Sequence, residues 1–110
     1  MSEYIGVILE EDQPELDIMD RFNVMPPSTK KLVAYLTKEF NDSMKSIFTS
    51  EEIMDIMDFN DEEDIKDIID SAIRHGFLFA EANSNRYRIS RSKANTLVYM
   101  GIIDALEAKQ

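Results

Sequence analysis

The chain has 110 residues, the size of a single domain with one modest core. Its hydrophobic fraction of 44% is too high for a disordered chain, and the lack of cysteine excludes disulfides, thiolate metal sites and a cysteine nucleophile. The net charge of −10 favours solubility and opposes long-range attraction to a polyphosphate. The first residues lack a signal-peptide pattern and no apolar stretch reaches the ~20 residues of a membrane span. We therefore expect a cytoplasmic protein with no membrane partner.

The charge is distributed unevenly along the chain. Residues 1–27 hold seven acids and one arginine, and residues 28–70 hold twelve acids and five bases. Residues 71–110 hold three acids and six bases, so this segment alone is positive. Pro26-Pro27 is the clearest break because proline cannot continue a helix. We predict an acidic N-terminal arm, 1–27, followed by a compact body, 28–110.

The arm contains two short apolar patterns. The run Tyr4-Ile5-Gly6-Val7-Ile8-Leu9 has the length of a strand and fits an edge strand added to the body. Leu16, Met19 and Phe22 then recur at helical spacing, which predicts one or two helical turns.

Three helices are predicted at the start of the body. Ser28 is the expected cap of the first, whose apolar face includes Leu32 and Leu36 and which Asn41-Asp42-Ser43 interrupts. Thr49-Ser50-Glu51-Glu52 has the capping-box pattern and starts a second helix with Ile53, Ile56 and Met57 on its apolar side. Asn60 or Asp61 caps a third helix, whose apolar positions are Ile65, Ile68, Ile69, Ala72 and Ile73.

A hairpin and a final helix follow. Gly76 suits the left-handed position after the third helix. Two β-prone runs, 77–82 and 86–90, flank the turn-forming Asn83-Ser84-Asn85 and predict a β-hairpin. Ser90 or Ser92 then caps one continuous helix to about Ala108.

The order helix, short helix, helix and hairpin resembles the winged-helix family. The resemblance is carried by the segment 68–78, with its glycine and apolar pair, and by the segment 85–90, with its alternating Tyr-x-Ile. It covers about residues 28–90 and implies an α+β winged-helix domain with an added C-terminal helix. It also implies that the third helix enters a DNA major groove and that the hairpin, the wing, contacts the DNA backbone or minor groove. The plainer alternative is another small α+β domain that ends in a hairpin and a helix.

The third helix contradicts this implied DNA contact. It begins Asp61-Glu62-Glu63-Asp64, which suits the positive end of a helix dipole but repels phosphates. One interpretation is a solvated face, and the other is a docking surface for a protein with a basic surface. The residues predicted for that surface are Glu51, Glu52, Asp55, Glu62, Glu63 and Asp67.

The wing has the opposite charge. On a strand, Arg86, Arg88 and Ser90 share one face while Tyr87 and Ile89 face the core. This basic strip either is solvated or contacts a phosphate backbone, an acidic neighbour or the chain's own acidic arm. The residues predicted for nucleic-acid binding are Lys66, Arg74, Arg86, Arg88, Arg91 and Lys93.

The final helix is apolar over a wide arc, so we expect it to be covered on more than one side. The arm is one candidate cover, through Tyr4–Leu9 and Phe22. A homodimer is the other, and Gly101 would permit close approach. The residues predicted for a dimer seam are Leu97, Val98, Gly101, Ile102 and Ala105.

Catalytic, cofactor and metal sites are not expected. The segment 58–69 resembles a calcium loop, but Glu63 replaces the required glycine and Ile69 the bidentate glutamate. His75 is the only histidine and stands at a helix end, where a capping role is usual. Paired carboxylates are abundant but lie in charge runs and not in apolar pockets that would tune them for catalysis.

Two functional hypotheses follow. The favoured one is a regulatory protein-interaction module with an acidic surface, a modulator of nucleic-acid machinery with viral proteins among the candidates. The alternative is a dimeric DNA-binding transcription regulator that uses the basic wing. A third hypothesis is that the acidic arm lies on the wing and blocks it.

Overall fold

The computed structural model describes residues 14–82 and 84–108, which form an α+β fold. Within these ranges the helices are α1 Pro14–Val24, α2 Pro27–Ser43, α3 Ser50–Met57, α4 Glu62–Arg74, α5 Arg91–Tyr99 and α6 Ile102–Ala108. The strands are β1 Ile47–Thr49, β2 Leu78–Ala80 and β3 Arg86–Ile89. In the same ranges, no helix is both long enough and apolar enough to cross a bilayer. The predicted strand at Tyr4–Leu9 lies outside the described residues.

Helix α1 packs into the core of the body. Ile18 and Phe22 of the helix and Met25 just after it are buried, and the ring of Phe22 meets that of Phe77 edge to face at 6.2 Å. Burial of three large apolar side chains stabilises this contact by several kcal/mol, at roughly 1.5–3 kcal/mol each. The predicted helical turns in the arm are therefore confirmed, and they extend to 11 residues.

Helix α2 corrects two sequence predictions. It begins at Pro27 with Pro26 in the cap position, so Ser28 is not the cap. A proline suits the first helical position because its φ is already helical and the missing N–H has no partner there. The helix also continues through Asn41 to Ser43 and ends where Met44 adopts a left-handed φ of 61°.

Helices α3 and α4 follow the local signals of the sequence. The Thr49 hydroxyl accepts from the Glu52 amide at 3.1 Å, and the Glu52 carboxylate accepts from the Thr49 amide at 2.9 Å, so the capping box is confirmed. Asp61 caps α4 by accepting from the Glu63 amide at 2.9 Å. Gly76, with φ of 82°, follows the end of α4 as expected.

The sheet has a third strand that the sequence did not indicate. Its order is β1-β3-β2, with antiparallel pairing throughout, so the predicted hairpin of β2 and β3 is present and β1 extends it. Phe48 of β1 is fully buried beneath the sheet, beside Leu78 and Ile89. On the opposite face, the register aligns Ile47, Arg88 and Phe79 in one row across the three strands.

The final helix is interrupted, which corrects the prediction of one continuous helix to Ala108. Helix α5 ends at Tyr99, Met100 forms its cap, and Gly101 takes a left-handed φ of 87° before α6 begins. Glycine favours this conformation because it carries no Cβ. The break allows α6 to fold back against α2, where Ile103 is buried.

Candidate binding surfaces

The first candidate surface is the outer side of α3 and α4. These neighbouring helices bury their apolar sides, through Ile53, Ile65 and Ile69 among others. Five of the six acids predicted for protein binding are exposed and form no ion pair with any described residue. We call these five the acidic face: Glu51, Asp55, Glu62, Glu63 and Asp67.

Glu52, the sixth predicted acid, has a structural role. It closes the capping box with Thr49 and pairs with the Lys45 ammonium. The hydrogen bond from Lys45 and the backbone hydrogen bond from Thr49 lower the pKa of the Glu52 carboxyl from its ordinary value of 4.5. Its charge is already compensated within the chain, so we remove Glu52 from the docking surface.

The second candidate surface is a groove between the hairpin and the start of α5. Its volume is about 570 Å³, and it is lined by Phe79, Arg88, Ile89, Ser90, Arg91, Ser92 and Lys93. Three of the predicted nucleic-acid-binding residues, Arg88, Arg91 and Lys93, thus share one concave space, which we call the cationic groove.

The cations of the groove have few internal partners. The guanidinium of Arg88 lies over the Phe79 ring at 5.8 Å, and that of Arg91 donates to the Ser46 hydroxyl at 3.4 Å. No acid in the described ranges forms an ion pair with Arg88, Arg91 or Lys93. The sequence holds 22 acids and 12 bases, so acids are not in short supply. These three bases therefore lack acid partners because the described acids lie elsewhere on the molecule.

Arg21 adds a further cation that the sequence did not place at this surface. A Cβ on Gly76 would lie 3.7 Å from the Lys93 ammonium nitrogen and 3.8 Å from one terminal nitrogen of Arg21. Arg21 also pairs through Nε with Asp17 at 3.1 Å. Because Arg21 comes from α1, only tertiary packing brings it beside Lys93, and no local pattern could have shown it.

The other predicted basic residues lie elsewhere. Arg86 shares the exposed sheet face with Arg88 but is not among the lining residues of the groove. Lys66 and Arg74 are exposed on α4, among the acids of that helix. The six bases proposed from the sequence therefore do not form one site.

The predicted dimer seam is divided by the break after α5. Leu97 is fully buried within the chain, so it is not available to a partner and leaves the seam. Val98, Gly101 and Ile102 are half-buried and Ala105 is exposed. A Cβ on Gly101 would meet no atom within 4 Å. Tyr99 and Met100, at the break itself, are large apolar side chains that are exposed.

The residues considered for metal or catalytic sites have local structural contacts. The Nδ1 atom of His75 lies 2.8 Å from the Ser71 carbonyl, and because a carbonyl only accepts, Nδ1 donates. Asp58 forms the C-cap of α3 and Asp61 the N-cap of α4. Within 14–82 and 84–108, no three acids or histidines gather as metal ligands would.

Comparisons with known proteins add no further information: no protein-family model, curated protein or solved structure matches this chain.

Proposed function

We propose that the chain is a non-enzymatic winged-helix module that binds a protein with a basic surface through the acidic face. The proposed fold is supported by the element order from α2 to β3, in which two short connections separate three helices and a hairpin follows. It is also supported by the three-stranded antiparallel sheet, in which β1 contacts α3 and β2 contacts α4. In such a module, α4 is the helix expected to meet the partner.

The observation that carries the proposal is the charge on α3 and α4. Glu62, Glu63 and Asp67 occupy the exposed side of α4, where a nucleic-acid reader needs bases. Their like charges repel one another, and no described base compensates them by an ion pair. A lysine- or arginine-rich partner would relieve this repulsion, and the association would be fast and sensitive to salt.

Charge reversal tests the proposal. The double variant Glu62→Lys and Glu63→Lys should lose capture of the partner from native cell extract. A matched control is Asp20→Lys with Glu39→Lys, since both acids are exposed on other helices and the net charge changes equally. Purified partner should bind wild type and control alike, and more weakly as salt rises. Equal capture by both double variants would exclude the acidic face.

DNA binding through the wing is the second candidate function. It is favoured by the convergence of Arg88 and Arg91 in the groove and opposed by the acids on α4. A gel shift with duplex DNA at low salt should then show binding, and Arg86→Ala with Arg88→Ala should flatten its salt dependence. No binding at low salt would reject this candidate.

A further inference from the structure

We propose that the cationic groove, extended by Arg21 above Gly76, is a binding site for a phosphate group. This inference does not depend on the acidic face. It gives the basic side of the molecule a ligand of defined chemistry, and it includes a residue from α1 that the winged-helix resemblance does not cover.

Uncompensated charge in a partly enclosed space is the first argument. Lys93 is half-buried as a residue and forms no ion pair with a described acid, so its charge is not neutralised by any described part of the chain. Arg21, which also pairs with Asp17 at 3.1 Å, approaches the same position from α1, so two cations lie near one backbone glycine. An anion bound at the groove would offset the repulsion between these cations.

The shape and donors of the groove indicate phosphate over carboxylate. Arg88, Arg91 and Lys93 line one groove, so it presents three positive charges. A phosphate group carries more negative charge and more acceptor oxygens than a carboxylate and is therefore the better complement. The guanidinium of Arg88 lies over the Phe79 ring at 5.8 Å, and it forms no ion pair with a described acid. Ser90 and Ser92 also line the groove, and their hydroxyls, 3.4 Å apart, add uncharged polar groups to it.

The backbone adds to this arrangement. The groove is at the beginning of α5, where the first amides of a nine-residue helix carry a partial positive charge. The Ser90 hydroxyl accepts from the Lys93 amide at 3.4 Å and fixes this end of the helix. The cationic side chains therefore project from a helix end and a strand that are both held by the core.

The test measures binding of tripolyphosphate to the full chain. At matched ionic strength against chloride, tripolyphosphate should raise the melting temperature by several degrees, because a ligand of the folded state stabilises it. Lys93→Gln and Arg91→Gln should each weaken binding roughly tenfold, and Arg21→Gln roughly threefold, since each removes a charge-assisted contact. The control Arg74→Gln removes an exposed base from α4 and should leave binding unchanged.

Amide chemical shifts keep the test valid if a variant is unstable. In the wild-type chain, tripolyphosphate should shift the amides of Gly76, Arg91 and Ser92 before others. Equal stabilisation by chloride, shifts spread over α4, or a loss of binding in Arg74→Gln as large as in Lys93→Gln would overturn the proposal.

A competition experiment with duplex DNA distinguishes a nucleic-acid phosphate from a free phosphate compound. If a short duplex competes with tripolyphosphate and loses affinity in the same variants, the groove binds a nucleic-acid backbone. If tripolyphosphate binds while the duplex does not, the ligand is a free phosphate compound. In that case DNA binding through the wing is rejected, and the phosphate site is retained. If neither binds at low salt, the site is rejected. In each case, capture of a basic protein by the acidic face is measured separately.

Discussion

The two charged regions of the molecule differ in how their charges are arranged. The five acids of the acidic face are spread over the convex surfaces of α3 and α4, and each of the five is exposed to solvent. In the cationic groove the bases come from a strand and a helix end and surround one concave space. A convex array suits a broad protein contact, whereas a concave one suits a compact ligand. The local placement of charge therefore predicts more about partners than the net charge of −10 does.

Both regions depend on one core, and removing Phe48 tests this dependence with the largest expected effect. Its side chain is fully buried in β1, next to the start of α3 and beneath the sheet that carries Arg88. Phe48→Ala should cost about 3–5 kcal/mol of unfolding free energy. Chemical denaturation should show one transition shifted to lower denaturant. A variant that loses one binding activity and fully retains the other would show that the two regions are not built on a shared core.

Substitutions at two glycines with left-handed φ distinguish a loss of backbone stability from a loss of phosphate binding in the groove. Gly76→Ala and Gly101→Ala should each cost about 1–2 kcal/mol of stability, because an L-residue is strained at such φ values. Only the new methyl at Gly76 would contact Lys93 and Arg21, since that at Gly101 enters open space. Calorimetric titration should therefore show weaker tripolyphosphate binding in Gly76→Ala alone. Equal binding losses in both variants would point to a general effect of destabilisation.

The smallest expected effect is on the pH dependence of stability. It distinguishes Glu52, which has a structural role, from the acids proposed to bind a protein partner. The pKa of Glu52 is lowered in the folded chain, so its ionised form stabilises the fold above the unfolded pKa. That contribution, about 1 kcal/mol or less because the side chain is 41% exposed, is lost as pH falls through the folded pKa. Glu52→Gln should flatten the acid limb of the stability curve. Glu51→Gln, at an exposed acid outside any ion pair, should leave that limb unchanged.

The sequence predicted those parts of the fold that local chemistry determines. Thr49 with Glu52, Asp61, Gly76 and Ser90 each mark a helix end through contacts within a few residues, and each prediction is confirmed. The acidic face could be predicted for the same reason, because the spacing of apolar residues along a helix shows which acids lie on its exposed side.

The missed features depend on contacts between distant residues. Strand β1 has three residues and exists through pairing with β3, about forty positions later, so no local pattern marks it. The approach of Arg21 to Lys93 also requires α1 to be packed in place. The break at Gly101 had a signal in the glycine itself, but the apolar spacing continued across it and predicted an unbroken helix.

We propose that this chain carries two separate binding surfaces of opposite charge, the acidic face and the cationic groove. The most direct measurement is a pair of amide-resolved NMR titrations of the full chain, one with a lysine-rich peptide and one with tripolyphosphate. We expect the peptide to shift residues of the acidic face, including Glu62 and Asp67, and tripolyphosphate to shift Gly76 and Arg91. A single common set of shifted amides, or no saturable shift with either probe, would contradict the proposal.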